Sequence, residues 1–307
     1  MTSRPTRRHL LKAVLGSAVT TVGTGAYAFG MEPAFRLRVQ RYTPKLRSWP
    51  GDLSLKVAAL ADIHVGEPHM PLSRVEEIVA VTNALAPDLI VLLGDYVAGH
   101  RFITRHVGMA ELAPKLAVLT APLGVFAILG NHDWWDDPIA QRLRRGPPVA
   151  ARALERAGIP VLENAAVRLT KSGRPFWLFG LGDQLAFIRG RGRYEGVHDL
   201  SGTLARATDD APAILLAHEP DIFPEVPDRI ALTLSGHTHG GQVRLFGHSP
   251  MVPSRYGNRF AYGNVVENGR QLIVSGGLGT SILPVRFGVP PEILLVTIGS
   301  TAPEGTG

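Results

Sequence analysis

Leu55-Lys56-Val57-Ala58-Ala59-Leu60-Ala61-Asp62-Ile63-His64 is an apolar run that stops at a carboxylate and an imidazole two positions apart. Downstream, Leu72, Val75, Ile78, Val79, Thr82 and Leu85 recur at helical spacing, with Glu76, Glu77 and Asn83 off that face and Pro87 closing the pattern. Leu89-Ile90-Val91-Leu92-Leu93 is a second apolar run, ending at Gly94-Asp95. Strand, amphipathic helix, strand implies parallel pairing, so both runs end on one edge of one sheet.

Working outward, Val125 to Leu129, Phe176 to Leu181, Ile214 to Ala217, Ala231 to Leu234, Gln271 to Val274 and Ile293 to Ile298 read as further buried strands, and the second half is strand-rich with short turns. The expected fold class is α/β, with two mixed β-sheets packed as a sandwich and helices on the outer faces, four layers in all. The chain has 307 residues, 45% apolar and 19% charged, which excludes collagen, coiled coil and wholesale disorder. No repeat or low-complexity linker interrupts 53–299, which reads as one domain preceded by a lead-in at 29–52 and followed by a flexible tail at 300–307.

The absence of cysteine excludes disulfides, a thiolate nucleophile, iron–sulfur ligation and cysteine zinc sites. Arg4, Arg7, Arg8 and Lys12 account for four of the net charge of +6, and residues 1–28 hold no acid. With those four set aside the remainder carries +2, so no nucleic-acid partner is expected. Thr6-Arg7-Arg8-His9-Leu10-Leu11-Lys12 resembles the twin-arginine export consensus, Leu10 to Val22 is apolar, and Ala26-Tyr27-Ala28 has the small-residue pattern of a peptidase site. Residues 1–28 are therefore expected to be a twin-arginine signal peptide handled by the twin-arginine translocase. The rival reading keeps Leu10 to Phe29, close to the about 20 residues of a bilayer span, as an anchor and adds membrane association. Either places the protein in the periplasm or on the outer face of the cytoplasmic membrane or cell wall.

Metal-ligand residue types follow five of the apolar runs: Asp62 and His64, Asp95, Asn131-His132-Asp133, His218, and His237 and His239. Ligands on the carboxyl edge of a sheet converge, and a spacing of two turns both side chains of a pair to one side of an extended segment. Three carboxylates, five histidines and one asparagine exceed one tetrahedral zinc but suit two adjacent ions in mixed nitrogen and oxygen coordination. Asp95, alone in its block, is the expected bridge between ions about 3.5–4 Å apart, with Asn131 as a neutral oxygen ligand. Two such ions lower the pKa of a bridging water to give hydroxide at neutral pH, suited to attack on phosphorus.

D-x-H, G-D, G-N-H-D, a lone H and G-H-x-H in this order resemble the signature of the calcineurin-like metallophosphoesterases. The resemblance implies one ion held by Asp62, His64, Asp95 and His239, and a second by Asp95, Asn131, His218 and His237. It implies that His132 does not ligate metal but acts on the phosphate and the leaving oxygen as the catalytic histidine. Mn, Fe and Zn all suit such shells. Phosphoprotein phosphatases of this superfamily continue G-D-Y-V-D-R-G, whereas Gly94-Asp95-Tyr96-Val97-Ala98-Gly99-His100 lacks the second Asp and the Arg, leaving open what orients His132.

Gly240-Gly241-Gln242, Pro253 to Gly257, Ser275 to Ser281, Pro284 to Phe287 and Pro290 to Ile293 resemble the bacterial twin-arginine-exported YkuE/YaeI-like phosphodiesterase subgroup. This implies a metal-dependent phosphodiesterase or phosphoesterase, and the expected export favours phosphate esters of lipid or cell-wall type as its substrates. The alternatives are a UDP-2,3-diacylglucosamine-type pyrophosphate hydrolase and a non-catalytic metal-containing envelope protein that binds phosphorylated ligands. Gly277 in the glycine-rich turn, with Arg255 or Arg286, is an expected phosphate contact, against the alternative that these glycines only let a strand turn tightly beside the metal loops. The basic stretch Phe187 to Tyr194 reads as a lid or as a solvated loop, and Trp134-Trp135 as a wall for an apolar substrate portion or as ordinary packing. Oligomeric state is not legible.

Overall fold

Eleven strands form two sheets in the computed structural model, which describes residues 20–299. The Thr6–Lys12 motif, most of the apolar leader and the tail at 300–307 lie outside the described residues. The first sheet contains β1 (Arg38–Tyr42), β2 (Leu55–Leu60), β3 (Leu89–Leu92), β4 (Val125–Ala127) and β11 (Glu292–Ile298), in the order β1-β11-β2-β3-β4. The second contains β5 (Ala165–Lys171), β6 (Arg174–Gly180), β7 (Ala213–Leu216), β8 (Ile230–Ser235), β9 (Gly263–Glu267) and β10 (Arg270–Val274), in the order β9-β10-β8-β7-β6-β5. β2, β3 and β4 are parallel, as are β6, β7, β8 and β10, so two sets of strand ends open on one edge of the sandwich.

The sheets meet through Leu55, Val57, Ala59, Leu89 and Val91 on one side and Phe176, Leu178, Ile214, Leu216 and Leu232 on the other, all buried. Alternate residues of the first sheet, among them Ala58, Leu60, Ile90 and Leu92, face α1 (Leu72–Ala84), α2 (Met109–Leu116) and α5 (Val149–Arg156) instead. A central strand buried on both faces has no room for polar alternation, which is why these runs read as continuous apolar stretches. The expected two-sheet sandwich with outer helices is therefore the observed one.

The lead-in contributes more than an approach to the domain. Arg38–Tyr42 pairs in parallel with Glu292–Val296, making β1 an edge strand. Fully buried Glu292 accepts from Arg38 Nε at 3.0 Å, Tyr262 Oη at 2.7 Å and the Gly276 amide at 2.8 Å, tying β1, β11 and the glycine-rich turn together. Upstream, residues 27–35 are helical and pack on the loop before β11, where Glu32 Oε1 accepts from the Val289 amide at 2.9 Å. Among the described residues no helix is long and apolar enough to cross a membrane.

Two short helices follow β4: α3 (Asn131–Trp135) and α4 (Pro138–Leu143). Asp137 caps α4, accepting from Ile139 and Ala140 at 2.9 and 3.0 Å, and also holds the Val149 amide at 2.8 Å. Burial pushes its carboxyl up, but these donors and Arg152 outweigh it and hold it below the ordinary value. A depressed folded-state value stabilises above the unfolded pKa of about 4, and the gain is lost as pH falls through the folded-state value. Asp137→Ala is expected to lower stability by about 1–2 kcal/mol at pH 7. Urea unfolding should show that gap narrowing in acid, and a gap independent of pH would refute the cap's role.

Candidate metal centre

Every ligand block follows a parallel strand at the shared edge. Asp62 and His64 follow β2, Asp95 follows β3, Asn131 opens α3 after β4, His218 follows β7, and His237 and His239 follow β8. Asp62, His64, Asp95, His237 and His239 all have positive φ, between 43° and 68°. Such values are uncommon outside glycine, and here they turn each chain back so that its side chain points into the gap between the sheets. The glycines of the G-D, G-N-H-D and G-H-x-H blocks clear the space. A Cβ on Gly130 would lie 2.4 Å from Asp95 Oδ1 and 2.6 Å from His218 Nε2, and one on Gly236 would lie 2.6 Å from Asp62 Oδ2. A Cβ on Gly94, which has φ 93°, would lie 2.4 Å from the Gly130 amide nitrogen, so the Asp95 and Asn131 loops lie against each other. Asp133 clamps those loops, accepting from the amides of Asp95, Gly130 and Tyr96 at 2.9, 2.8 and 3.0 Å.

Two groups of side chains converge there. Asp62, His64, Asp95 and His239 offer ligand atoms within 4.8 Å of one another, as do Asp95, His218 and His237, with Asp95 common to both. Asp95 Oδ2 lies 3.4 Å from His64 Nε2 and 3.3 Å from His218 Nε2, while Asp62 Oδ1 lies 3.6 Å from His239 Nε2. Asn131 Oδ1 is 2.8 Å from His237 Nδ1, which places the asparagine in the second group.

The donor set fits cations. His64 Nδ1 and His218 Nδ1 face the carbonyls of Val97 and Leu93 at 3.3 and 2.6 Å, and a proton donated there leaves each Nε2 lone pair pointing inward. His64 Nε2 and His239 Nε2 face each other at 3.2 Å, and buried His218 Nε2 has no aligned hydrogen-bond partner. Electrostatics agree. Burial pushes the Asp62 carboxyl up to about 6, eased by His218 and reinforced by the Asp95 charge. Asp95 is held well below the ordinary range, because His218 and His132 overcome its burial. Burial lowers the His237 and His239 imidazoles, leaving them neutral ligands, whereas Asp95 and Asp62 hold His218 well above its ordinary value. That upward pull on His218 reflects the positive charge these carboxylates demand, which a cation at Nε2 would supply in place of a proton.

His132 stands at the rim, its ring edge-on to His64 at 5.0 Å. Its Nδ1 faces Asp136 Oδ2, one helical turn on, at 3.4 Å, and its Nε2 faces Ser281 Oγ, also at 3.4 Å. Burial lowers the imidazole, but Asp95 and Asp136 outweigh it and raise its pKa above the ordinary value. Asp136 is the carboxylate that the sequence reading missed. The i, i+4 spacing within Asn131-His132-Asp133-Trp134-Trp135-Asp136 was its only signal. Gly99 makes room for it, since a Cβ there would lie 2.6 Å from Asp136 Oδ2. Trp135 packs against His132 at 5.2 Å and stacks on Tyr194 at 5.0 Å, whereas Trp134 is buried in the core. Tyr194 belongs to a hairpin of Phe187–Gly190 and Arg193–Glu195, so the basic stretch is an ordered flank of the site.

The three expected phosphate contacts have other partners in the structure. Arg286 is fully buried, with Nε donating to Gly279 O at 2.9 Å, Nη1 to Val289 O at 2.8 Å and Nη2 lying 3.4 Å from His239 Nδ1. It braces the loops behind the site. Arg255 turns to Asp221 and Glu225 on the surface. Gly277 gives its amide to Ser275 Oγ and, at φ 71°, lies where a Cβ would be 2.8 Å from Asp62 Cβ. The glycine-rich turn therefore serves close packing behind Asp62.

Adding Mn²⁺, Zn²⁺ or Fe²⁺ to metal-stripped protein is expected to raise the thermal unfolding midpoint, with a gain of about 2.7 kcal/mol at a hundredfold excess over Kd. Asp95→Asn keeps the shape but removes the shared charge, and should lose most of that gain. An unchanged shift and metal content in this variant would exclude Asp95 as a ligand.

Comparison with known proteins agrees with this geometry. The calcineurin-like phosphoesterase family matches residues 55–241, which span all five ligand blocks. The chain is 31% identical over 302 residues to the uncharacterized metallophosphoesterase YkuE of Bacillus subtilis, covering 96% of this chain and 98% of that one. It is 32% identical over 274 residues to an uncharacterized metallophosphoesterase of Aquifex aeolicus, covering 89% and 95% respectively. With the phosphodiesterase YaeI of Escherichia coli it shares 28% over 297 residues, covering 95% and 98%. The chain thus belongs to the calcineurin-like metallophosphoesterases, a family of phosphoric ester hydrolases.

Proposed function

We propose that this chain is an exported phosphodiesterase or phosphoesterase that works with two divalent ions on phosphate esters of lipid or cell-wall type. The observation that carries this reading is the pair of ligand groups sharing Asp95, with His132 at their rim. Asp62, His64, Asp95 and His239 would hold one ion and Asp95, Asn131, His218 and His237 the other. When bound, the ions supply charge neutralisation for the phosphoryl group and a water nucleophile active at neutral pH.

The chain's own residues do the rest. Asp136, hydrogen-bonded to Nδ1, fixes the His132 ring so that Nε2 faces the mouth beside Ser281. From there Nε2–H hydrogen-bonds a phosphoryl oxygen and passes its proton to the departing ester oxygen. The Asp136 carboxylate beside Nδ1 favours the protonated ring needed for that transfer. Trp135 and Tyr194 shield one side of the ring from water and offer an aromatic surface to the alcohol portion of the ester. A hydrogen-bonded, proton-bearing His132 at the rim favours turnover over mere ligand binding.

Hydrolysis of bis-p-nitrophenyl phosphate and p-nitrophenyl phosphate by metal-stripped protein refilled with Mn²⁺, Zn²⁺ or iron tests this reading. Turnover should require metal, and His132→Ala should keep its metal but lose about 10²–10⁴-fold in kcat. Absence of turnover in fully metallated wild-type protein would support a binding protein instead. Asp136→Asn should lower kcat about tenfold with metal content unchanged, the effect of one hydrogen bond to a charged group. The loss should grow as the leaving alcohol becomes more basic, and an equal loss for every leaving group would make Asp136 structural only.

A further inference from the structure

Phe246 is fully exposed at the tip of a two-residue hairpin, where Leu245 and His248 exchange backbone hydrogen bonds of 2.8 and 2.9 Å. Phe246 and Gly247 both have positive φ, 49° and 79°, a tip that favours Asn-Gly. A bulky aromatic side chain there carries strain and buries nothing, so folding alone does not account for it. Ile282 repeats the combination, with φ 63° and 69% exposure, directly after Ser281 at the mouth of the site. The two loops are stitched together: Gln242 donates to Leu283 O at 3.0 Å and accepts from the Ser281 amide at 2.7 Å.

A third apolar element joins them. The Arg286 amide donates to Ala28 O at 2.9 Å, the Tyr27 ring meets Phe287 edge-on at 6.1 Å, and the Arg244 amide donates to Phe287 O at 2.8 Å. Residues 27–35 therefore lie beside the hairpin, with Phe29, Met31 and Phe35 exposed. In the sequence, the run from Leu10 to Val22 directly precedes this segment. Ala26-Tyr27-Ala28, read from the sequence as a peptidase site, lies in helical backbone with Ala28 buried, an arrangement that suits a retained leader. Arg36 is exposed directly after this segment, and Arg101 is exposed two residues beyond Gly99, which packs on Asp136 beside His132.

We propose that Phe246, Ile282, Leu283 and Phe29 form a lip that seats on an anionic phospholipid bilayer, with the mouth of the metal site turned to the headgroups. Exposed apolar patches rimmed by basic residues dock on such surfaces by burying side chains at the headgroup boundary. The docking itself stands on the lip alone. What the docked site hydrolyses, a headgroup phosphate ester, rests on the phosphoesterase reading.

The cysteine-free chain allows a clean test. Full-length Phe246→Cys, Ile282→Cys and Val118→Cys, the last exposed beyond the far end of α2, each take one polarity-sensitive fluorophore. They are mixed with phosphatidylglycerol–phosphatidylcholine vesicles containing doxyl-labelled lipid. Strong quenching at 246 and 282 with little at 118 is expected, and Phe246→Ser should weaken vesicle binding about tenfold. Three results would overturn the proposal: no vesicle binding, binding with the 246 and 282 labels still in water, or labels already shielded before vesicles are added. The last would mean that the leader or a second copy covers the lip. Phe246→Ser should keep wild-type turnover of soluble bis-p-nitrophenyl phosphate. If wild type lacks that turnover while the labels insert, the phosphoesterase reading fails and the docking surface stands.

Discussion

Asp62 and Asp95 are two carboxylates almost wholly cut off from water, and nearly every local feature around them follows from bringing those charges together and balancing them. Five residues held in left-handed backbone, the glycines before Asp95, Asn131 and His237, and the Asp133 clamp all act to point acids and imidazoles at one another. Each such feature is unfavourable alone and persists because its neighbours fix it. The balance requires positive charge from outside the chain or from protons on its histidines. The first sheet supplies Asp62, His64, Asp95 and Asn131 and the second His218, His237 and His239, so a bound cation would also hold the sandwich closed at this edge.

The His132–Asp136 contact shows how one physical requirement can be met from a different place in the chain. A histidine that hands over a proton needs a carboxylate on its other nitrogen to fix ring and tautomer. Position 98 is Ala and position 99 is Gly, so the loop after β3 offers none. The carboxylate comes from α3 itself and occupies space that any side chain at 99 would fill. The two observations belong together, a gap and the group that fills it.

The sequence made legible whatever depends on short-range pattern. The central strands are apolar because both faces are buried, and the ligand blocks stand at their ends because loops at one sheet edge converge. Arg38–Tyr42 and Ala165–Lys171 escaped notice because edge strands alternate or stay half-exposed and show no apolar run. The role of Arg286 was misread for a related reason. An arginine near a glycine-rich turn suggests an anion, and only the tertiary fold shows its guanidinium enclosed by Gly279, Val289 and His239. Asp136 needed the helix to be known before its spacing carried meaning.

β11 lies between β1 and β2, the first two described strands, although it is the last of the described strands to be made. During synthesis on a ribosome, the amino-terminal strands would wait with a missing neighbour until residue 298 had emerged, and β1 would have no partner at all. The first sheet is thus completed only once residues 292–298 have been made, and a chain cut short before them would carry Asp62 and Asp95 in the sequence but no closed sheet to hold them.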